Sequence, residues 1–357
     1  MTMFFLDMKT LKAVSLVNRD LNHEASKILF HAVRIDPRRS GPAKADACTF
    51  LSHASNFILR KDRSPVILRL SMYVRDLGED QNAEEAVGRL YKALMSVNKL
   101  VDLSVEGGYD ERQVRMVLKA MSATSFAPGL QKLRLGRIPI TLDIGDLFQS
   151  FWASHQALTT VRSQRPLPVP RHPLPALACV HISGRRQSAI IRGHPVTDIC
   201  MGGMFHQEPI FDLRHIMLDA AQSTRDILRL SLFVVRDAHH IPFPLDPFVF
   251  TGVIAALPHL RYLALMETTR DYHPSVSIRL NAIASLEYLE ELEWLGHVPL
   301  SVRDAFFRAC SHPCNSLQRV VFEHGTLEEN KRTLEYEREG VDAPWVQIPS
   351  RNYTMTI

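Results

Sequence analysis

The chain has 357 residues, 46% hydrophobic and 22% charged, with a formal net charge of +4. That balance is globular and long enough for a large core or a long stack of units. The small charge, without long basic runs, gives no reason to expect nucleic acid, and no apolar run reaches the ~20 residues that span a membrane.

Five scattered cysteines, Cys48, Cys179, Cys200, Cys310 and Cys314, are an odd set. They point to a reducing compartment, cytoplasmic or nuclear, rather than a disulfide framework. Phe4, Phe5 and Leu6 are too short a run for a signal peptide, and the charged Asp7 and Lys9 break it off.

In chain order, Met8 to Phe30 reads as two short helices, with Leu11, Val14, Leu16, Val17 and Leu21 on the first apolar face. Residues 36–65 form a crossover: a polar turn cluster at 37–42, then helical spacing from Ala47 to Leu59. Helical faces come next at Asn82 to Val97, after Asp110, and around Leu147, Phe148, Phe151 and Trp152. Arg165 to Pro175, with five prolines, reads as a rim loop or a polyproline ligand. Strands at Leu177 to Ile182 and Val196 to Met201 leave little room for a full helix between them. Helices are then expected at Ile210 to Ala221, Phe248 to Leu257 and Val302 to Ala309, with a shorter turn or helix at Ala282 to Leu286. Thr326 to Arg338, rich in Glu, Lys and Arg, reads as a solvated terminal helix, and Pro344, Trp345, Val346 and Ile348 as a fold-back cap.

One cadence runs through all of this. Leu260, Leu263 and Leu265 have the spacing L-x-x-L-x-L, which returns in related form from Ile67, Leu100, Leu130, Ile227, Leu289 and Leu317. Neighbouring copies start 28 to 33 residues apart outside a less regular middle. That is near the leucine-rich repeat period, and somewhat long for it. Leu-type positions then point inward along a short strand while the residues between face out. The expected fold is α/β: a leucine-rich-repeat-like solenoid over residues 66–325, with a parallel inner sheet and mainly helical outer face. Residues 1–35 form a helical cap before it, and residues 326–357 a C-terminal helix and cap.

The segment from Asp7 to Ile35 resembles the second half of an F-box, as in fungal F-box proteins. Leu11, Ala13, Val14, Leu16, Val17, Asn18, Arg19 and Leu21 match that pattern in order, and Leu29, Phe30, Val33 and Ile35 match its tail. The middle is similar to the fungal F-box/leucine-rich-repeat group through Leu174, Pro175, Leu177, Gly193, Pro195 and Val196; His194 stands where that group often has Arg. The order of elements carries the resemblance over Met8 to Phe322. It implies docking to the small adaptor of a cullin-type ubiquitin ligase through Leu11, Val14, Leu16, Val17 and Leu21, while the repeats hold a protein substrate. No L-P-x-E-x-L-x-x-I helix precedes Asp7, so the F-box reads as truncated and adaptor binding is expected to be weak unless it is completed.

Chemistry-bearing motifs are sparse. Cys310, His312 and Cys314 lack a second cluster to complete a zinc site, and His239–His240 reads as a solvated pair. Gly107–Gly108 and Gly202–Gly203 belong to no phosphate cradle and are expected in turns. No nucleophile elbow or zinc-protease motif is present, so the expectation is a non-enzyme without cofactor or metal. The informative surface is the outward strand row: Arg69, Tyr73, Asp102, Glu106, Lys132, Arg134, Arg229, Phe233, Tyr262, Met266, Glu291, Glu293, Arg319 and Glu323. Its mixture of charge and aromatics suits a protein-binding face, or else solvates the sheet. The resulting expectation is a ligase substrate receptor, or a structural scaffold that has lost adaptor docking.

Overall fold

A computed structural model describes residues 25, 30–35, 47–60, 67–74, 81–107, 111–124, 126, 129–136, 142–165, 167–182, 185–204, 213–235, 247–266, 275–295, 298, 300–309, 316–324, 332–340 and 343–349. The chain divides into two units, Met1–Leu177 and Ala178–Ile357. Both are mixed α/β, with a largely parallel sheet flanked by helices.

In the first unit the order is β1 (Ala32–Ile35), α1 (Ala47–Leu59), β2 (Arg69–Val74), α2 (Gln81–Ser96), β3 (Asp102–Gly107), α3 (Glu111–Ala123), β4 (Lys132–Leu135), α4 (Leu142–Ser154) and β5 (Thr160–Ser163). Each strand pairs in parallel with the next. The repeat reading depends above all on the pairing of β3 with β4, since antiparallel pairing there would end it. The cadence explains the burial: Leu70, Met72, Leu103, Val105, Leu133 and Leu135 are all buried. Helix faces spaced three or four apart cover them, as with Val114, Val117, Leu118 and Met121 of α3. A strand–helix unit cannot bury its own apolar face; its stacked neighbours complete the core.

The second unit runs β6 (Cys179–Ile182), a 3-10 helix (Arg185–Ile191), β7 (Asp198–Met204), α5 (Leu213–Ala220), β8 (Arg229–Val235), α6 (Pro247–Ala255), β9 (Tyr262–Met266), α7 (Ser275–Ala284), β10 (Glu291–Leu295), α8 (Leu300–Ala309), β11 (Arg319–His324), β12 (Arg332–Glu337) and β13 (Val346–Ile348). Strands β6 to β11 are parallel in sequence order. The short β6–β7 connection holds a 3-10 helix, in keeping with its limited length.

Register is held at the entrances of β2 to β5 and of β7 to β11 by a recurring pair of bonds. Two successive amides donate to one carbonyl of the preceding repeat: Gln131 and Lys132 to Val101 at 2.9 and 3.0 Å, and Arg261 and Tyr262 to Leu228 at 2.8 and 3.0 Å. Gly129, at φ 114°, lies just before β4, where a Cβ would come within 2.8 Å of the Ala157 Cβ. Glycine alone meets both demands there.

Three expectations change, and one of two open readings is narrowed. Thr326 to Arg338 is not helical over its described part: β12 pairs antiparallel with β11, and β13 then pairs antiparallel with β12. Tyr336 is buried, with its ring 4.9 Å from that of Phe307, and β12 covers the otherwise open edge of β11. The helix expected from Ala282 begins at Ser275, because burial of Leu280 and Ile283 outweighs the weak propensity of its β-branched residues. Gly202 and Gly203 lie inside β7, opposite Phe233 and Val234, rather than in a turn. The proline-rich segment is docked on α4. Gln149 donates to the Val169 carbonyl and accepts from the Arg171 amide, both at 2.9 Å, while Trp152 Nε1 donates to the Pro168 carbonyl at 3.0 Å. Those contacts occupy backbone groups that a free polyproline ligand would present.

Candidate functional site: the outward face of the strands

Side chains between the buried leucines stand on the opposite face of each sheet, and the parallel register lines them up across strands. In the second unit one row runs Asp198, Arg229, Tyr262, Glu291, Arg319 and Glu337. The next outward row includes Ser231, Ala264, Glu293, Val321 and Glu335.

These rows are chemically connected. Arg229 Nε lies 3.2 Å from Asp198 Oδ1, and its guanidinium carbon is 3.9 Å from the centre of the Tyr262 ring. Such cation–π stacking contributes about 0.5–2 kcal/mol, depending on exposure. The Tyr262 hydroxyl is bonded to Glu293. Burial first, and then the Glu293 charge, push that phenol well above its ordinary range, so it remains a protonated donor. Arg319 Nη1 lies 3.0 Å from Glu291 Oε2 and 3.7 Å from Glu293 Oε1, while its Nε donates to Glu335 Oε1 at 2.8 Å. Burial opposes the guanidinium charge, but Glu335 and Glu291 outweigh it and raise the Arg319 pKa. Glu335 is fully buried, so this carboxylate depends on Arg319 for compensation.

In the first unit Arg69, Asp102 and Lys132 share a row, as do Ser71, Ser104, Arg134 and Arg162. Arg134 Nη2 lies 3.6 Å from Asp102 Oδ2, and Ser104 Oγ donates to Glu106 Oε1 at 3.4 Å. Tyr73 is half-buried in register with Glu106.

The structure therefore brings Arg229, Tyr262, Glu291, Glu293 and Arg319 together, and separately Asp102 with Arg134. Glu323 is half-buried on β11. Phe233 and Met266 are register partners in β8 and β9, but their side chains lie outside the described residues. Leu11, Val14, Leu16, Val17 and Leu21 also lie outside them, as do Cys310, His312, Cys314, His239 and His240. Among the described residues no group of three His, Cys, Asp or Glu side chains could hold a metal, and no helix is long and apolar enough to cross a membrane.

Sequence reasoning misses two features. The charge pattern around Glu335 reads as a helix, which hides its alternation with Leu334 and Tyr336. Ser188, Arg192 and Asp219 form a polar cluster between the 3-10 helix and α5: Ser188 Oγ donates to Asp219 Oδ2, and Arg192 Nε to Asp219 Oδ1 at 2.5 Å. Ser188 is fully buried and Asp219 nearly so. The serine bonds the carboxylate directly, without an intervening histidine, so the cluster tethers two elements rather than arranging a triad. No local motif signals it, because the partners are 31 residues apart.

No protein-family model matches the chain, and no curated protein matches it.

Proposed function

We propose that this chain is a non-enzymatic protein-recognition subunit whose partner docks on the outward face of its strands. The observation that carries the reading is the half-buried Tyr262, held between Arg229 and Glu293 within a row of charged side chains. An aromatic preorganised by its neighbours loses little freedom on binding, and Tyr and Arg are the commonest interface anchors. The cadence and the order of elements support a finer reading: a leucine-rich-repeat protein similar to fungal F-box substrate receptors of cullin-type ubiquitin ligases. In such a receptor the ligase partners carry out catalysis while this chain selects the substrate. A scaffold without ligase docking is the second reading; it rests on the same face.

The test is capture of a partner from the source proteome, then affinity measurement with the purified partner and the ligase adaptor. Tyr262→Ala should weaken partner binding by about 2 kcal/mol or more if this is a hot spot. Unchanged affinity refutes the assignment of this face. Adaptor binding by the folded chain favours the receptor; failure to bind it favours the scaffold.

A further inference from the structure

The two outward faces treat their arginines differently. In the second unit Arg229 and Arg319 are each held by carboxylates of the face itself. In the first unit β2, β4 and β5 present Arg69, Lys132, Arg134 and Arg162, against only Asp102 and Glu106 from β3. Among the described residues Arg69, Lys132 and Arg162 have no ion-pair partner, and Arg134 has only the long contact to Asp102. Arg134 and Arg162 are direct register neighbours with no carboxylate between them. Like charges facing one another across a strand pair oppose pairing. Serines 71 and 104 beside them leave a low floor, and Ser104 is buried.

We propose that the first unit's outward face binds an extended polypeptide segment rich in Asp and Glu. This rests on the recognition reading above and names its ligand chemistry. Adjacent guanidinium forks at Arg134 and Arg162 suit a carboxylate of the segment, because planar N–H pairs can donate in parallel to both oxygens. Binding there relieves the repulsion between the two arginines. Asp102 and Glu106 disfavour a uniformly anionic nucleic acid, whose closely spaced phosphates would face them. A peptide can instead place neutral residues opposite those two carboxylates.

The test uses the full chain and a labelled Glu/Ser peptide of about eight residues, long enough at ~3.3 Å per residue to cross from β2 to β5. Fluorescence anisotropy should show binding that weakens with added salt. Arg162→Glu should reduce affinity at least ~10-fold, whereas Lys92→Glu, at an exposed position on α2, should leave it unchanged. No binding of the acidic peptide, equal binding of a Lys/Ser peptide, tighter binding of single-stranded nucleic acid, or indifference to Arg162→Glu would each overturn the proposal. A captured partner that needs Tyr262 but tolerates Arg162→Glu would sink the acidic-segment assignment and leave the recognition reading standing. Indifference to both substitutions would remove both.

Discussion

His155 should make the first unit lose stability in acid. It occupies the turn position filled by Val97, Leu257 and Leu286 in other repeats, and it is equally buried there. Its ring lies 4.4 Å from that of Phe151 and 5.3 Å from that of Phe126, and Nε2 is 2.8 Å from the Met121 carbonyl near the end of α3. A carbonyl can only accept, so Nε2 carries the proton of the neutral ring. Burial lowers the pKa from 6.5 to about 4, although the Met121 bond pulls the other way. Between these values the unfolded chain binds a proton that the folded chain does not. Stability therefore falls as pH drops from 6.5 toward 4, and this contribution is flat below both values. At about 1.4 kcal/mol per tenfold change in proton affinity, the loss approaches roughly 3 kcal/mol. His155→Leu removes that dependence. At pH 7 it forfeits one hydrogen bond, about 1 kcal/mol, while the Met121 carbonyl keeps the Thr124 amide at 3.3 Å. The variant should therefore be slightly less stable at pH 7 and more stable than the parent below about pH 5.5. Urea unfolding at several pH values, with hydrogen exchange of α4 and β5, reads this directly. Other groups titrate in both proteins, so the difference between them isolates His155. Parallel stability curves from about pH 7 to about pH 4.5 would refute the argument.

Three further outcomes test the packing. Leu263→Ala or Leu230→Ala, at fully buried strand positions, should cost about 2–5 kcal/mol in urea unfolding; a cost below ~1 kcal/mol would contradict their place in the core. Arg319→Ala should cost about 3–5 kcal/mol by stranding the buried Glu335 carboxylate, and Arg319→Met combined with Glu335→Leu should restore most of it. Additive losses in the double variant would show that the pair is not coupled. Gly129→Ala should lower stability by about 1–3 kcal/mol, since its φ of 114° and the Ala157 contact both oppose a Cβ; an unchanged melting temperature would count against that geometry.

Much of the fold was legible in the sequence because its information is periodic. L-x-x-L-x-L specifies which strand residues point inward, and the buried Leu70, Leu103, Leu133, Leu230, Leu263 and Leu292 accord with it. Helical spacing likewise located α2 and α3, where Val87, Leu90, Leu94, Val114, Val117 and Met121 share buried faces. The same alternation nominated Arg229, Tyr262, Glu291, Glu293 and Arg319 as outward residues, without showing that they join into one network.

Tertiary structure decided what periodicity does not encode. Arg332 to Glu337 has helix-compatible charge, yet becomes β12 because the edge of β11 offers hydrogen bonds, Phe307 offers a ring for Tyr336, and Arg319 compensates Glu335. The proline-rich segment carries no helix or strand signal, yet it is tied down by Gln149 and Trp152, more than a dozen residues away. No local motif marks His155 as buried; Met121 and Phe126 close around it only in the folded chain. In each case the deciding interaction joins groups distant in sequence. Local propensity amounts to only about a few tenths of a kcal/mol per residue and yields to such contacts. The sequence by itself therefore determined the repeating units and their inward faces, while long-range pairing determined the C-terminal edge and the chemistry of the open face.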